Sequence, residues 1–333
     1  MTVSPIGGYF AWSTAPAGSV HPEAPSVAFR SARSALAACL RQMRVRRLWV
    51  PHHVCGAVMT AVEAAGVVAR RYRLDGTWGV PSEVALDDDE WLLCVDYLGL
   101  SGHAVDTALR RFPQSRVIVD ASQAFYRQRV GAETLLFSPR KFFPVPDGGW
   151  TDPAAIVTVP TESDDEASTV RAGYLHARAA GRLEAGYAAY HAAEASLAAA
   201  APVALSGLTR ALLAEQDLTA AREARRGNYA TLRQHLEGLG FQVPALPEAA
   251  VPLFVPASVP DAAPIRATLA AVGIFSPTFW PDALPPADDT IGRALRNDTL
   301  YLPCDQRYGY ADMKRVADAL EYVMQQHTRH LQD

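Results

Sequence analysis

Between residues 47 and 138 the chain alternates short, continuous apolar runs with helix-forming stretches, and this alternation leaves few folds open. Arg47-Leu48-Trp49-Val50-Pro51, Trp91-Leu92-Leu93-Cys94-Val95-Asp96-Tyr97, Arg116-Val117-Ile118-Val119-Asp120 and Thr134-Leu135-Leu136-Phe137-Ser138 are the apolar runs, and Val67 to Leu74, with three arginines, reads as a further strand. Most end in Pro, Ser or Asp. A run that is apolar on both sides of the pleat has no face to give to water, so it predicts a strand covered by helices above and below. Ala35 to Met43, opened by Ser31-Ala32-Arg33-Ser34 and preceding the first strand, and the intervening stretches Gly56 to Ala65 and Val105 to Phe112 supply those helices. The expectation is a three-layer α/β domain.

The flanking regions read differently. Met1 to Pro25 is rich in Gly, Pro and Ser without a period and predicts an N-terminal arm over 1–25. From Val170 to about Leu239 the residues are helix formers, broken at Pro202 and Ser206-Gly207, so several long helices are expected inside a large domain spanning 26–239. After Gly238-Leu239-Gly240 come short strands near 252–255 and 299–302 and helices near 263–272 and 310–325. These predict a small α+β C-terminal domain over 240–333. The acidic runs Asp87-Asp88-Asp89-Glu90 and Thr161 to Ser168 read as solvated loops. No fixed-period repeat is present.

With 333 residues and a net charge of -4 spread over interspersed signs, the chain has no basic stripe for nucleic acid, and small soluble substrates fit it better. Cys39, Cys55, Cys94 and Cys304 lack CxxC spacing and read as reduced thiols, which points to the cytoplasm and to no disulfide frame or metal site. Adjacent His52 and His53 would point in different directions on a regular element and make a poor metal pair. No membrane-spanning run or leader pattern is seen.

Almost every basic residue is arginine. Of the two lysines, Lys141 stands in Phe137-Ser138-Pro139-Arg140-Lys141, just before Asp147-Gly148-Gly149. Arginine stays charged, whereas a desolvated lysine can lose its proton and condense with an aldehyde. An aldehyde cofactor held as an imine on Lys141 is therefore the expectation, set against a stray surface cation. Asp120 closes an apolar strand, with Gln123 three residues on. A carboxylate there projects into the crevice where α/β proteins bind ligands, and it would keep a pyridine nitrogen protonated. A phosphate would find free N–H groups, hydroxyls and the helix dipole at Ser31-Ala32-Arg33-Ser34, although simple N-capping explains the same residues equally well. Ser138 is a second candidate phosphate ligand, and Gly148-Gly149 permits close backbone approach. His52 or His53 could lie against a cofactor ring, with Cys55 a further wall candidate.

In order along the chain, these pieces resemble the fold-type I enzymes that use pyridoxal 5′-phosphate, and within them the DegT/DnrJ/EryC1/StrS sugar aminotransferases. The resemblance rests on Phe29-Arg30-Ser31-Ala32-Arg33-Ser34-Ala35-Leu36, Val50-Pro51, Asp96-Tyr97-Leu98-Gly99, Val117-Ile118-Val119-Asp120-Ala121-Ser122-Gln123-Ala124, Phe137-Ser138-Pro139-Arg140-Lys141 with Asp147-Gly148-Gly149, and Tyr301-Leu302-Pro303. It implies an aspartate aminotransferase-like large domain. Lys141 would form the internal aldimine, Asp120 would pair with the pyridinium, and Gln123 would sit near the ring hydroxyl. Ser138 with the Ala32 and Arg33 amides would hold the phosphate. It also implies a homodimer with active sites at the interface. Three departures stand out: the Ser-to-Lys interval is short, Ala32 replaces the usual glycine, and His52, His53 and Cys55 stand where a ring-stacking aromatic is common.

The function expected is transfer of an amino group from an amino acid, glutamate by family likeness, to a keto-sugar nucleotide or related carbonyl acceptor. Arg293, Arg296 and Arg307 are guesses for the donor carboxylate. Alternatives are other chemistry with the same cofactor (elimination, decarboxylation or condensation) and a non-catalytic binding protein of the same fold. Sugar dehydratases of this likeness carry histidine in place of the lysine, so Lys141 favours transamination. A nicotinamide dehydrogenase is disfavoured because no GxGxxG follows an early strand.

Overall fold

The computed structural model describes residues 4–13, 27–152, 158 and 160–330, the last three of these by backbone alone. Most of the 1–25 arm and the links on either side of Thr158 thus fall outside the described residues.

A seven-stranded sheet forms the centre. Its strands are β2 (Val27–Phe29), β3 (Arg47–Pro51), β4 (Val68–Tyr72), β5 (Glu90–Val95), β6 (Val117–Asp120), β7 (Thr134–Phe137) and β8 (Gly149–Asp152), in spatial order β2-β8-β7-β6-β5-β3-β4. β7, β6, β5, β3 and β4 run parallel, while β8 is antiparallel to both β7 and β2. Helices α1 (Ala32–Gln42), α2 (Gly56–Ala64) and α3 (Gly102–Arg111) are the crossovers. This is the expected α/β architecture. Leu92, Leu93, Val117, Ile118, Val119 and Leu135 are essentially inaccessible, as strands covered on both faces require.

The α1 start shows how local chemistry sets the frame. Ser31 has extended backbone angles and its Oγ accepts from Ser34 N at 3.1 Å, an N-cap of ordinary geometry. Ala35 to Leu40 is then buried throughout, so α1 packs directly on the sheet. Contact with β8 is close enough that a Cβ on Gly149 would stand 2.0 Å from Ala32 N. A bridge between Ser31 and Gly148, with Gly148 N donating to Arg30 O at 2.7 Å, completes the join.

Helices α4 (Asp165–Arg171), α5 (Gly173–Ala179), α6 (Leu183–Ser196), α7 (Gly207–Ala214) and α8 (Leu218–Gly238) follow, with the break between α6 and α7 at the anticipated Pro202 and Ser206-Gly207. A second core lies beyond them. β9 (Phe254–Ser258) pairs antiparallel with β11 (Thr299–Pro303), and α8, α9 (Ala262–Ala271) and α11 (Tyr310–His330) pack on this ribbon through Tyr229, Leu232, Leu269, Val316 and Leu320. Ile6 belongs to the same core: β1 (Ile6–Gly7) runs parallel to β10 (Ile274–Phe275), which precedes α10 (Thr290–Asn297).

Two charge runs depart from the solvated reading. Glu90 is fully buried at the start of β5, where it pairs with Arg70 and accepts from Trp49 Nε1 at 2.8 Å. Asp164 pairs with Arg30 and Arg171, and Ser168 is fully buried against Ser206. Apart from Arg171, seven residues from Asp164, these partners lie twenty or more residues away, so run composition alone does not disclose them.

Candidate active site

The carboxyl ends of the parallel strands bring the candidates together. β3 leads into His52 and His53, β5 into Asp96 and Tyr97, β6 ends on Asp120, and β7 leads into Ser138 and the 3-10 turn Pro139–Lys141. A crevice outside the carboxyl edge is where open α/β sheets bind ligands.

Asp120 is buried, and its Oδ1 accepts from Ser122 N at 2.9 Å. Cys55, at the entry to α2, feels Lys141 and Asp120 with opposite sign. Burial raises its thiol pKa, Lys141 works against that, and Asp282 and Asp120 add to it. Asp120 stands opposite Leu136 of β7, whose continuation carries Lys141, so the lysine and the carboxylate lie on neighbouring strands at the same edge. Lys141 Nζ has no hydrogen bond or ion pair among the described residues; its close contact is the face of Trp280, 5.8 Å from the ring centroid. The preceding residue behaves differently: Arg140 turns away to pair with Glu194.

Gln123 is 1% exposed. Its Oε1 accepts from Leu98 N at 2.9 Å, which leaves Nε2 buried without a partner. His53 is equally buried, with Nδ1 unpartnered and its ring centroid 5.7 Å from Tyr97 and 5.3 Å from Trp280. Burial, assisted by the charge of Arg296, pushes its pKa down to about 4. The imidazole is therefore neutral at physiological pH. His52 is partly exposed and also lowered, by burial and Arg71. Trp78, Tyr97, Leu98, Phe279, Leu295 and Tyr301 join His53 and Gln123 around a cavity of about 10 Å³.

Of the residues anticipated for the phosphate, Ser31 Oγ caps α1, and the first turn of any helix carries N–H groups with no acceptor inside the helix. The Arg33 guanidinium reaches away to Leu197 O, so only its backbone faces the helix start. Ser138 is half-buried one residue past β7. Asp147 lies outside the crevice: it is fully buried and bound by Arg171, Ser206 and Thr209, anchoring the Gly148-Gly149 turn to α4 and α7. Among the arginines named for a donor carboxylate, Arg307 is committed to Asp305 and to the backbone of Gly8 and Tyr9. Arg293 is exposed, and Arg296 bonds Pro281 O at 3.0 Å.

Sequence reasoning assigned no role to Trp78, Tyr97, Phe279, Trp280 or Tyr301. Of these, Trp280 presents its ring face to the lysine. Its local signal, aromatic residues between prolines in Pro277-Thr278-Phe279-Trp280-Pro281, marks a packed loop without saying what it packs against.

No family model and no curated protein matches the sequence. Solved structures do. S. venezuelae DesV in complex with a ketimine intermediate is 19% identical, with a TM-score of 0.62 over 89% of this chain and 84% of that one. NtdA from Bacillus subtilis with bound PMP is 17% identical, with a TM-score of 0.63 over 90% of this chain and 73% of that one. A DegT DnrJ EryC1 StrS aminotransferase from Brucella abortus is 18% identical, with a TM-score of 0.57 over 88% and 84%. The chain therefore has the three-layer fold of these aminotransferases, as its sheet order and crevice independently require.

Proposed function

We propose that this chain is a pyridoxal 5′-phosphate-dependent aminotransferase resembling the DegT/DnrJ/EryC1/StrS group. It moves an amino group from an amino acid, glutamate first, to a keto-sugar nucleotide or related carbonyl compound. The observation that carries the reading is that β6, ending on Asp120, and β7, leading to Lys141, are neighbouring parallel strands, and that the Lys141 amine has no hydrogen bond or ion pair among the described residues. The fold likeness to proteins whose structures hold PMP and a ketimine supports it.

The residues present fit the cofactor. An orphaned, buried donor on Gln123 suits the ring hydroxyl, and Asp120 suits a protonated ring nitrogen. Ser31, the Ala32 and Arg33 amides and Ser138 suit the phosphate, and His53 suits one side of the ring. When bound, the cofactor supplies the electron sink for charge that develops at the donor Cα. Lys141 then takes and returns the proton at that carbon, a task that needs its amine neutral part of the time. Neutral His53 and the surrounding aromatic side chains exclude water without placing a second charge beside the amine.

A homodimer with its sites at the interface and a cytoplasmic setting belong to the same reading. The family likeness supports the first, and four free cysteines support the second. The test is an absorbance scan near the visible edge, before and after borohydride, followed by addition of glutamate. The reading expects a yellow protein that bleaches irreversibly and, untreated, converts to the pyridoxamine form with glutamate. A protein that stays colourless with excess pyridoxal 5′-phosphate overturns it.

A further inference from the structure

The amine of Lys141 meets an aromatic face delivered from the far end of the chain. Trp280 stands on residues 276–289, between β10 and α10. Its ring lies 5.8 Å from Nζ, and it is backed by His53, by Tyr97 at 6.3 Å and by Phe279 at 5.6 Å. An ammonium within about 6 Å of an indole face is drawn to the ring quadrupole, most strongly where water is scarce. Trp280 is 8% exposed.

The strap that carries it is fixed along its length. Ser276 Oγ accepts from Tyr301 N at 2.9 Å, and Pro281 O accepts from Arg296 at 3.0 Å. Asp282 Oδ2 accepts from Gly56 N at 2.9 Å, and a Cβ on Gly56 would stand only 2.0 Å from that oxygen. Asp288 pairs with Arg73, and Asp289 caps α10. These contacts leave the indole little freedom to choose another position.

We propose that Trp280 is a positioning residue for Lys141: its indole face holds the ε-ammonium at the mouth of the crevice and thereby sets how readily that amine is reached. The contact rests on the aminotransferase reading and deepens it. It is attraction by the ring face, and not mere cover by bulk, that does the holding.

The two-lysine composition makes the test clean. Competitive labelling with acetic anhydride, read by mass spectrometry, compares Lys141 with Lys314 in the same molecule; Lys314 is exposed and paired with Asp318. Trp280→Phe keeps an aromatic face and is expected to leave the Lys141-to-Lys314 ratio within about twofold, whereas Trp280→Leu raises it about fivefold or more. Cys39, Cys94 and Cys304, all buried, report the fold by staying unreactive to a thiol reagent. Should Trp280→Leu fail that check, growth on fluorinated tryptophans weakens the ring face at nearly constant shape, and the ratio is expected to climb with fluorine content. Equal labelling in the Phe and Leu variants, or a ratio indifferent to fluorination, overturns the proposal. If pyridoxal 5′-phosphate fails to bind the native protein, the aminotransferase reading falls while the ratio still judges the contact. If it binds and protects Lys141 but no variant moves the ratio, this proposal falls alone.

Discussion

His53 enters the crevice uncharged, and that carries a consequence for stability. Its folded pKa of about 4 lies below the ordinary 6.5, so the unfolded chain takes up the proton first as pH falls. The contribution is complete above pH 6.5 and is lost as pH drops toward 4, at about 1.4 kcal/mol per pH unit and about 3 kcal/mol in all. Urea unfolding of the native protein and of His53→Phe across this window is expected to show a steeper loss for the native protein; parallel curves would refute the neutral buried imidazole. Asp120 yields a second expectation. On the proposed reading, Asp120→Asn keeps the shape but removes the charge proposed to face a ring nitrogen, so glutamate-driven conversion to the pyridoxamine form should slow by about 10²-fold or more while the protein still folds. An unchanged rate would remove Asp120 from the site. Asp120 and Lys141 stand out in the sequence because one closes a buried strand and the other follows one, and because lysine is so scarce. Trp280 does not, since its contact with the lysine arises only when residues 276–289 cross to the end of β3.

At the scale of elements, the join between α1 and β8 depends on one missing side chain. A Cβ at Gly149 would meet Ala32 N at 2.0 Å and Ser31 C at 2.3 Å, both backbone atoms that cannot swing aside. Gly149→Ala should therefore lift α1 from the sheet and cost about 3 kcal/mol or more by denaturant unfolding. Gly66→Ala, with positive φ but open space around it, should cost only about 1 kcal/mol; similar losses at the two positions would show that the close approach is unimportant. Asp147 and Arg171 hold the same corner from the other side, and both are buried. The central parallel strands from β3 to β7 were readable from short apolar runs, whereas β2 and β8, which make this join, were not anticipated as strands. The partners of Glu90 and Asp147, and Arg30 as a partner of Asp164, were not readable, because an acidic residue looks the same whether it faces water or an arginine brought in from another element.

For the whole molecule, the segment at 6–12 is the stitch between two cores. Ile6 packs in the second core, while Phe10 belongs to a smaller cluster with Tyr174, Leu175 and Ala193; Tyr9 packs on Tyr174 and Tyr190, and Trp12 on His176. Arg307 fastens this segment by donating to Gly8 O and Tyr9 O and by covering the Phe10 ring at 4.3 Å. Burial alone would raise the Asp305 carboxyl, but the adjoining Arg307 overrides it and keeps the pKa below the usual range. Replacing the arginine would leave that carboxylate buried without its partner, a defect that costs about 3 to 5 kcal/mol, and would free the stitch as well. Arg307→Ala is therefore expected to lower stability by that amount and to split calorimetric unfolding into two transitions, as cores joined by fewer contacts melt separately. Arg307→Lys keeps the charge but loses the planar fork that reaches both oxygens, so it should fall between the two. A single, barely shifted transition in Arg307→Ala would mean that the two cores are coupled through the 276–289 strap and α8 instead, and that the segment at 6–12 merely rests on them.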